Sequence, residues 1–227
     1  MISNPIRVFI VDDHPLVREW LGNLLRLEPD IEVVGEADET DTAFIAMFDR
    51  LTDVAVIDLS LKRGSGLDLI KAIQTRGDDP QASSKIKIQT LVLSMHEEIG
   101  DVERALKAGA RGYVMKREST SQIVNAIRQV YAGKIFLAPE LQARLAGRVA
   151  SYAPIVGSPK PDILSDRELE VFRRIGLGHS TRRIADDLGV GQKTIQTYCA
   201  RIKEKLQLND GTELLRTAVQ AHERERE

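Results

Sequence analysis

Residues 8–13 read Val8-Phe9-Ile10-Val11-Asp12-Asp13, a short apolar run that ends in two carboxylates. Three further apolar runs also end in a polar side chain: residues 54–57 before Asp58, 90–93 before Ser94 and 112–115 before Lys116. Short runs rich in Val and Ile, separated by stretches of helical period, are typical of a parallel sheet buried on both faces. The four runs therefore predict such a sheet at the centre of the fold.

Around these runs, the sequence predicts strands and helices that alternate five times. The predicted strands are residues 6–11, 31–35, 53–57, 88–93 and 112–115. The predicted helices are residues 15–27, 40–50, 66–76, 98–108 and 120–131. Alternation with short connections favours right-handed crossovers, with helices on both faces of the sheet. The prediction for residues 1–132 is an α/β domain, a doubly wound five-stranded parallel sheet.

The remainder of the chain is predicted to be a linker and a small all-α domain. Residues 133–161 are predicted as an interdomain linker with a short helix at 139–149, because the stretch that follows this helix is rich in proline. Residues 162–227 have only helical periods, which predict four helices at 166–176, 181–188, 192–207 and 212–222. Capping-box spacings at 119–122 and 165–168 predict two helix starts.

Composition excludes some classes of protein. No run approaches the ~20 apolar residues that a membrane span requires, and the lone Cys199 excludes an intrachain disulfide. We therefore expect a cytoplasmic protein with no membrane partner. The net charge is −2, yet residues 164–206 contain nine Lys and Arg against six Asp and Glu. A local excess of three positive charges fits either nucleic acid or an ordinary solvated surface.

The polar residues beyond the strands predict phosphoryl chemistry. In an open parallel sheet, such groups gather in one crevice at the carboxyl ends of the strands. Clustered carboxylates there suit Mg²⁺, and Asp58 could attack phosphorus as a nucleophile. Lys116 and Ser94 could then stabilise the phosphoryl oxygens. Each residue alone is more often structural, so the hypothesis depends on their joint occurrence.

Residues 181–197 have the spacing of a helix-turn-helix. Ala185, Gly189 and Ile195 lie at offsets 0, 4 and 10, where a small residue, a turn glycine and a core anchor are needed. A plain helical hairpin could share that spacing. The second helix has a stripe of residues predicted to be buried: Ile195, Cys199, Ile202 and Leu206. Glu204 is the only acid between residues 192 and 207, which favours DNA over a merely solvated face.

Four motifs resemble the receiver domain of bacterial response regulators, in particular the NarL/FixJ subfamily: Val11-Asp12-Asp13-His14, Asp58-Leu59-Ser60-Leu61, Leu93-Ser94-Met95-His96 and the segment from Gly109 to Lys116. The resemblance covers residues 6–132 and implies a flavodoxin-like sheet of order 2-1-3-4-5. Residues 162–222 resemble the LuxR-type DNA-binding domain. Together they imply a transcriptional regulator, not an enzyme, that is phosphorylated by a sensor histidine kinase and forms a homodimer when active.

The resemblance also implies roles for individual residues. Asp58 would be the phosphoacceptor, with Lys116 and Ser94 contacting the phosphoryl group and Tyr113 turning inward as the switch aromatic. The Mg²⁺ ligands would be Asp12 (largely through water), Asp13, Asp58 and the Ser60 carbonyl. Bases would be read by Gln196, Thr197 and Ala200. Phosphates would be met by Lys193, Thr194, Arg201, Lys205, Arg182 and Arg183.

The chain departs from the family pattern at several positions. Lys62 stands where many receivers have proline, and Arg117 stands where many have a cis proline. In the helical domain, Tyr198 replaces a frequent histidine and Gly191 a usual serine cap. Two other readings stay open: a DNA binder independent of phosphorylation with the receiver as its dimerisation module, and a Mg²⁺-dependent aspartyl phosphohydrolase. The latter generally has an acid two residues after the nucleophile, where this chain has Ser60.

Overall fold

The computed structural model describes residues 4–62, 64–77, 87–95, 98–150 and 163–226. His96 and the whole proline-rich stretch 151–162 therefore lie outside the described residues. The chain divides into two compact units, Met1–Tyr152 and Ala153–Glu227.

The first unit is built on one parallel sheet. Its strands are β1 (Ile6–Val11), β2 (Ile31–Ala37), β3 (Val54–Ile57), β4 (Gln89–Ser94), β5 (Gly112–Met115) and β6 (Phe136–Leu137). They lie in the order β2-β1-β3-β4-β5-β6, and neighbouring strands are paired in parallel. The predicted order 2-1-3-4-5 is confirmed, with one strand added at the end.

Helices connect the strands. They are α1 (Pro15–Leu25), α2 (Thr40–Asp49), α3 (Gly66–Gly77), α4 (Ile99–Ala108), α5 (Thr120–Tyr131) and α6 (Pro139–Ala150). Alternate residues of a strand point to opposite faces of the sheet, and β1 shows the consequence. Val8 and Ile10 belong to one apolar core and Phe9 and Val11 to the other. The continuous apolar runs of the sequence are thus buried on both faces, as predicted.

The sixth strand was not predicted. Phe136 and Leu137 pair with Gly112 and Tyr113 of β5, within the stretch that was predicted to be linker. Helix α6 follows and buries Leu141 in the same core as Phe9. The prediction of a five-stranded sheet is therefore wrong by one strand. A strand of two residues is too short to show the alternation by which strands are recognised.

Within residues 163–226, the second unit has four helices, α7 (Asp166–Gly176), α8 (Thr181–Asp187), α9 (Gln192–Leu206) and α10 (Gly211–Arg226). Their bounds match the predicted ones to within four residues. Gly189 has φ 62° in the turn between α8 and α9, a conformation that glycine adopts without strain. Ala185 and Ile195 are buried in the core between these two helices. This is the helix-turn-helix that the spacing predicted.

Candidate phosphoacceptor site and nucleic-acid interface

Strand register places the polar residues of the first unit at one edge of the sheet. Val11 of β1 pairs with Ile57 of β3, so Asp12 and Asp58 follow neighbouring strand ends. Ser94 of β4 pairs with Met115 of β5, and Lys116 comes next in the chain. Parallel strands therefore bring these side chains to one place although Asp12 and Lys116 are 104 positions apart in the sequence.

A buried lysine joins two of the carboxylates. The Nζ atom of Lys116 lies 2.7 Å from Oδ2 of Asp58 and 2.7 Å from Oδ2 of Asp12, and all three side chains are less than a tenth exposed. Burial raises the pKa of Asp58, and the charge of Lys116 only partly offsets this. Burial alone would lower the pKa of Lys116, but Asp58 and Asp12 reverse the direction and raise it. The ammonium thus stays charged and neutralises part of the acidic cluster.

The site can hold a metal ion. Ligand atoms of Asp12, Asp13, His14 and Asp58 all lie within 4.8 Å of one another. Oδ1 of Asp13 is buried and accepts no hydrogen bond, although Nδ1 of His14 lies 2.8 Å away. A buried carboxylate oxygen without a donor is costly unless a cation binds it. The residues present therefore fit a divalent ion, with His14 as a neighbour to which the sequence analysis assigned no role.

The loop after β3 is held tightly against Asp58. The N–H of Ser60 donates to Oδ1 of Asp58 at 3.3 Å, and the N–H of Lys62 donates to Oδ2 of Asp13 at 3.0 Å. Gly66 begins α3 so close to this loop that a Cβ atom there would overlap the carbonyl oxygen of Asp58. Local main-chain contacts therefore fix the position of the predicted phosphoacceptor.

Ser94 and Tyr113, the predicted switch pair, are in contact. Tyr113 is fully buried and shares a hydrogen bond with Ser94, so the ring already has the inward position that was predicted to follow phosphorylation. Burial raises the pKa of the Tyr113 phenol well above its usual value. The hydroxyl of Ser94 is thus linked directly to an aromatic ring in the core of the unit. The peptide bond between Lys116 and Arg117, which the sequence left open, is trans, as are all the described peptide bonds.

In the second unit, α9 has the surface that the sequence predicted. Ile195 and Ile202 are buried, and Cys199 is half-buried beside them. The predicted base-reading residues are all exposed: Gln196, Thr197 and Ala200. The predicted phosphate contacts Lys193, Thr194, Arg201, Arg182 and Arg183 are exposed as well. Gly191 is the N-cap of α9, as expected.

Lys205, another predicted phosphate contact, is already engaged inside its own unit. Its Nζ atom lies 2.6 Å from Oε2 of Glu168, which is only 2% exposed. Glu168 also completes the predicted capping box of α7 with Ser165. Burial would raise the pKa of Glu168, but Lys205 and the N–H of Ser165 hold it below its usual value. This ion pair ties the start of α7 to the last turn of α9.

Within the described residues, no helix is both long and apolar enough to cross a membrane.

Comparisons with known proteins identify both domains. Residues 8–128 match the family model of the response regulator receiver domain, and residues 162–218 match that of bacterial regulatory proteins of the luxR family. The chain is 34% identical over 213 residues to the probable transcriptional regulatory protein NarL of Mycobacterium tuberculosis, covering 92% of this chain and 93% of that protein. It is 33% identical over 211 residues to the transcriptional regulatory protein UhpA of Escherichia coli, covering 93% and 96%.

Solved structures of the same two-domain type are similar as well. RcsB of Salmonella enterica serovar Typhimurium, bound to the promoter rprA in the presence of the phosphomimetic BeF3⁻, is 26% identical with a TM-score of 0.57, covering 95% of this chain and 99% of that one. A structure of two RcsB dimers bound to two parallel DNAs is 27% identical with a TM-score of 0.56, covering 94% and 98%. A receiver domain with a buried acidic cluster, followed by a LuxR-type helix-turn-helix, makes this chain a member of the NarL/FixJ family of response regulators.

Proposed function

We propose that this protein is a transcriptional regulator whose binding to DNA is controlled by phosphorylation of Asp58. The observation that carries the proposal is the contact of Lys116 with both Asp58 and Asp12, at 2.7 Å each, in a chain that also has a helix-turn-helix. The phosphoryl donor would be a sensor histidine kinase, because a receiver domain takes its phosphoryl group from such a protein in the family that the chain resembles.

The chain's own residues divide the chemistry between them. An oxygen of Asp58 attacks phosphorus, and the bond from phosphorus to the donor's histidine nitrogen breaks as the new bond forms. Lys116 neutralises charge on the transferred group. Mg²⁺ would be held by Asp13, Asp12, Asp58 and the Ser60 carbonyl, and would supply charge neutralisation at the phosphoryl oxygens. Oδ1 of Asp13, which accepts no hydrogen bond, supports Asp13 as a direct ligand.

The switch would pass from the phosphoryl group to the core through Ser94. A phosphoryl oxygen would accept a hydrogen bond from the Ser94 hydroxyl, which is bonded to Tyr113 in this structure. Phosphorylation would thereby change the contacts of a fully buried aromatic ring, and so bias the receiver between two states. Because Tyr113 pairs with Leu137 of β6, its displacement would also reach the strand that precedes α6.

The second unit would bind double-stranded DNA through α9. Polar, uncharged side chains at its start suit the edges of bases in the major groove, and the flanking cations suit phosphates. RcsB, which is similar to this chain along most of its length, has been seen as dimers on DNA. We propose that this chain also binds DNA as a homodimer, in the cytoplasm, where its operators would be. Ser60 in place of a second acid supports a regulator over an aspartyl phosphohydrolase.

Intact mass spectrometry tests the proposal most simply. The full chain is incubated with MgCl₂ and a small acyl phosphate, beside Asp58→Asn and the control Asp68→Asn. Asp68 is exposed on α3 and forms an ion pair with Lys71, away from the cluster. We expect one added phosphate on the unsubstituted chain and on Asp68→Asn, and none on Asp58→Asn. Phosphate on Asp58→Asn would refute Asp58 as the acceptor.

A further inference from the structure

Asp13, the candidate metal ligand, has two basic neighbours, His14 and Lys62. The main-chain N–H of Lys62 donates to Oδ2 of Asp13 at 3.0 Å, and its ammonium lies 3.7 Å from the same oxygen. The carboxylate is buried, whereas the Lys62 side chain is 56% exposed. The proline that many similar receivers have at this position has neither the N–H nor the charge. This chain therefore differs from such receivers at a residue that contacts a candidate metal ligand.

All three carboxylates of the cluster have a basic group nearby. Lys116 contacts Asp58 and Asp12, and His14 and Lys62 contact Asp13. Lys116 is almost fully buried and lies between the two aspartates, where it would remain as a partner of the phosphoryl group. Lys62 is different, because its long exposed side chain approaches the carboxylate of Asp13, whose Oδ1 accepts no hydrogen bond.

We propose that Lys62 competes electrostatically with the divalent cation at Asp13, and thereby sets the Mg²⁺ concentration at which the site fills. The inference rests on the proposed function, because it takes Asp13 as a metal ligand. A cation bound to Asp13 would lie within several ångströms of the ammonium and would be repelled by it. Since the lysine is half exposed, solvent screens the repulsion, and we expect it to weaken Mg²⁺ binding about three- to tenfold.

Calorimetric titration of the full chain with MgCl₂ at low ionic strength tests the inference. Lys62→Met keeps the main-chain N–H but removes the charge, so we expect its Kd for Mg²⁺ to fall about three- to tenfold. Lys62→Arg keeps the charge and should bind Mg²⁺ as the unsubstituted chain does. Lys71→Met is the matched control, because Lys71 is 55% exposed and pairs with the carboxylate of Asp68 on α3. Its Kd should not change.

Three results would overturn the role of Lys62. The first is a Kd for Lys62→Met equal to that of the unsubstituted chain. The second is an equal fall in Lys71→Met, which would reveal a general effect of net charge. The third is a difference that persists undiminished in 0.5 M KCl, at roughly 4 Å screening length, because a Coulombic effect must shrink there. Equal binding by the chain and by Asp13→Asn would instead refute the metal site itself, and with it the proposed function.

Discussion

Lys116 is the residue on which the charge balance of the site depends. Its ammonium is the cation between two buried carboxylates, and a charge left buried without its partner costs roughly 3–5 kcal/mol. Lys116→Met should therefore lower the free energy of unfolding by about 3 kcal/mol at pH 7.5. Urea denaturation measures this, with the exposed Lys107→Met as control. An equal loss in both variants would contradict the account.

The deficit of Lys116→Met should depend on pH. Burial already raises the pKa of Asp58 in the folded state above its value in the unfolded chain, and loss of Lys116 removes the opposing effect. A carboxylate with a raised folded pKa destabilises the fold while ionised, and this penalty disappears as the pH falls through that pKa. We therefore expect the gap between Lys116→Met and the unsubstituted chain to narrow between pH 7.5 and pH 5. If the stability difference instead grew as the pH fell, the predicted direction of the pH dependence would be wrong.

Gly66 is a second residue with a defined consequence. A Cβ atom there would overlap the carbonyl oxygen of Asp58, whereas at Gly77, the last residue of the same helix, it would meet nothing within 4 Å. Gly66→Ala should cost about 1–3 kcal/mol through displacement of the β3–α3 loop. It should also slow phosphorylation by an acyl phosphate. Gly77→Ala is the matched control and should be neutral in both assays.

At the scale of single residues, the sequence predicted which side chains gather at the strand ends, but it did not predict every contact that the site residues make. Asp12, Asp58 and Lys116 were predictable because each directly follows a strand, and parallel strands end at one edge of the sheet. The contacts of Lys62 and Lys205 could not be predicted in this way, because they depend on the position in space of a loop, for Lys62, and of a helix end, for Lys205. Lys205 was predicted from its position in a motif to meet DNA phosphate, and it is bonded to Glu168.

Among the elements, α7 and α9 are joined by the Glu168–Lys205 ion pair. Glu168→Gln should destabilise the second unit by about 1–3 kcal/mol, because a buried, doubly hydrogen-bonded carboxylate loses its charge. The folded pKa of Glu168 is depressed, so its contribution is present above the ordinary value of 4.5 and is lost as the pH falls below it. Thermal unfolding at pH 7 and pH 3.5 should thus show a smaller difference at the lower pH. A constant difference would mean that the charge is irrelevant.

Substitutions in α9 should affect the affinity for DNA and the preference for particular sequences separately. Lys193→Gln removes one cation from the exposed start of the helix and should reduce the slope of log affinity against log salt by about 1 for every duplex tested. Gln196→Ala should instead relax selectivity at one base position, because Gln196 carries no charge. Selection from a random duplex library, followed by titration, measures both. If Lys193→Gln changed the base preference and Gln196→Ala changed the salt dependence instead, α9 would lie on DNA in a different orientation.

Element bounds followed from periodicity wherever an element was long enough to show it. Helices α7 to α9 lie within about a residue of their predicted positions because their buried stripes and turns are clear. Strand β6, with two residues, was missed for lack of any period. The capping-box spacing at 119–122 predicted the start of α5 correctly, because Ser119 is the N-cap of that helix. The side chain of Ser119 makes no capping hydrogen bond, however, and its hydroxyl contacts that of Ser121.

For the whole molecule, the central claim is that phosphate on Asp58 changes affinity for DNA. Two independent motif sets predicted a receiver and a DNA-binding domain, and both domains match their family models. What the sequence cannot supply is the coupling between them, because this depends on the relative free energies of at least two states of the full chain. Phosphorylation and DNA binding must therefore be measured together.

The most direct measurement is the Kd for a selected duplex, with and without a small acyl phosphate and MgCl₂, for the full chain and for Asp58→Asn. We expect the phosphorylated chain to bind at least about tenfold more tightly, a difference of ~1.4 kcal/mol, and Asp58→Asn to show no response. Equal affinity of the two forms, at verified phosphate occupancy, would contradict the account. It would favour a DNA-binding protein that uses its receiver only as a dimerisation module.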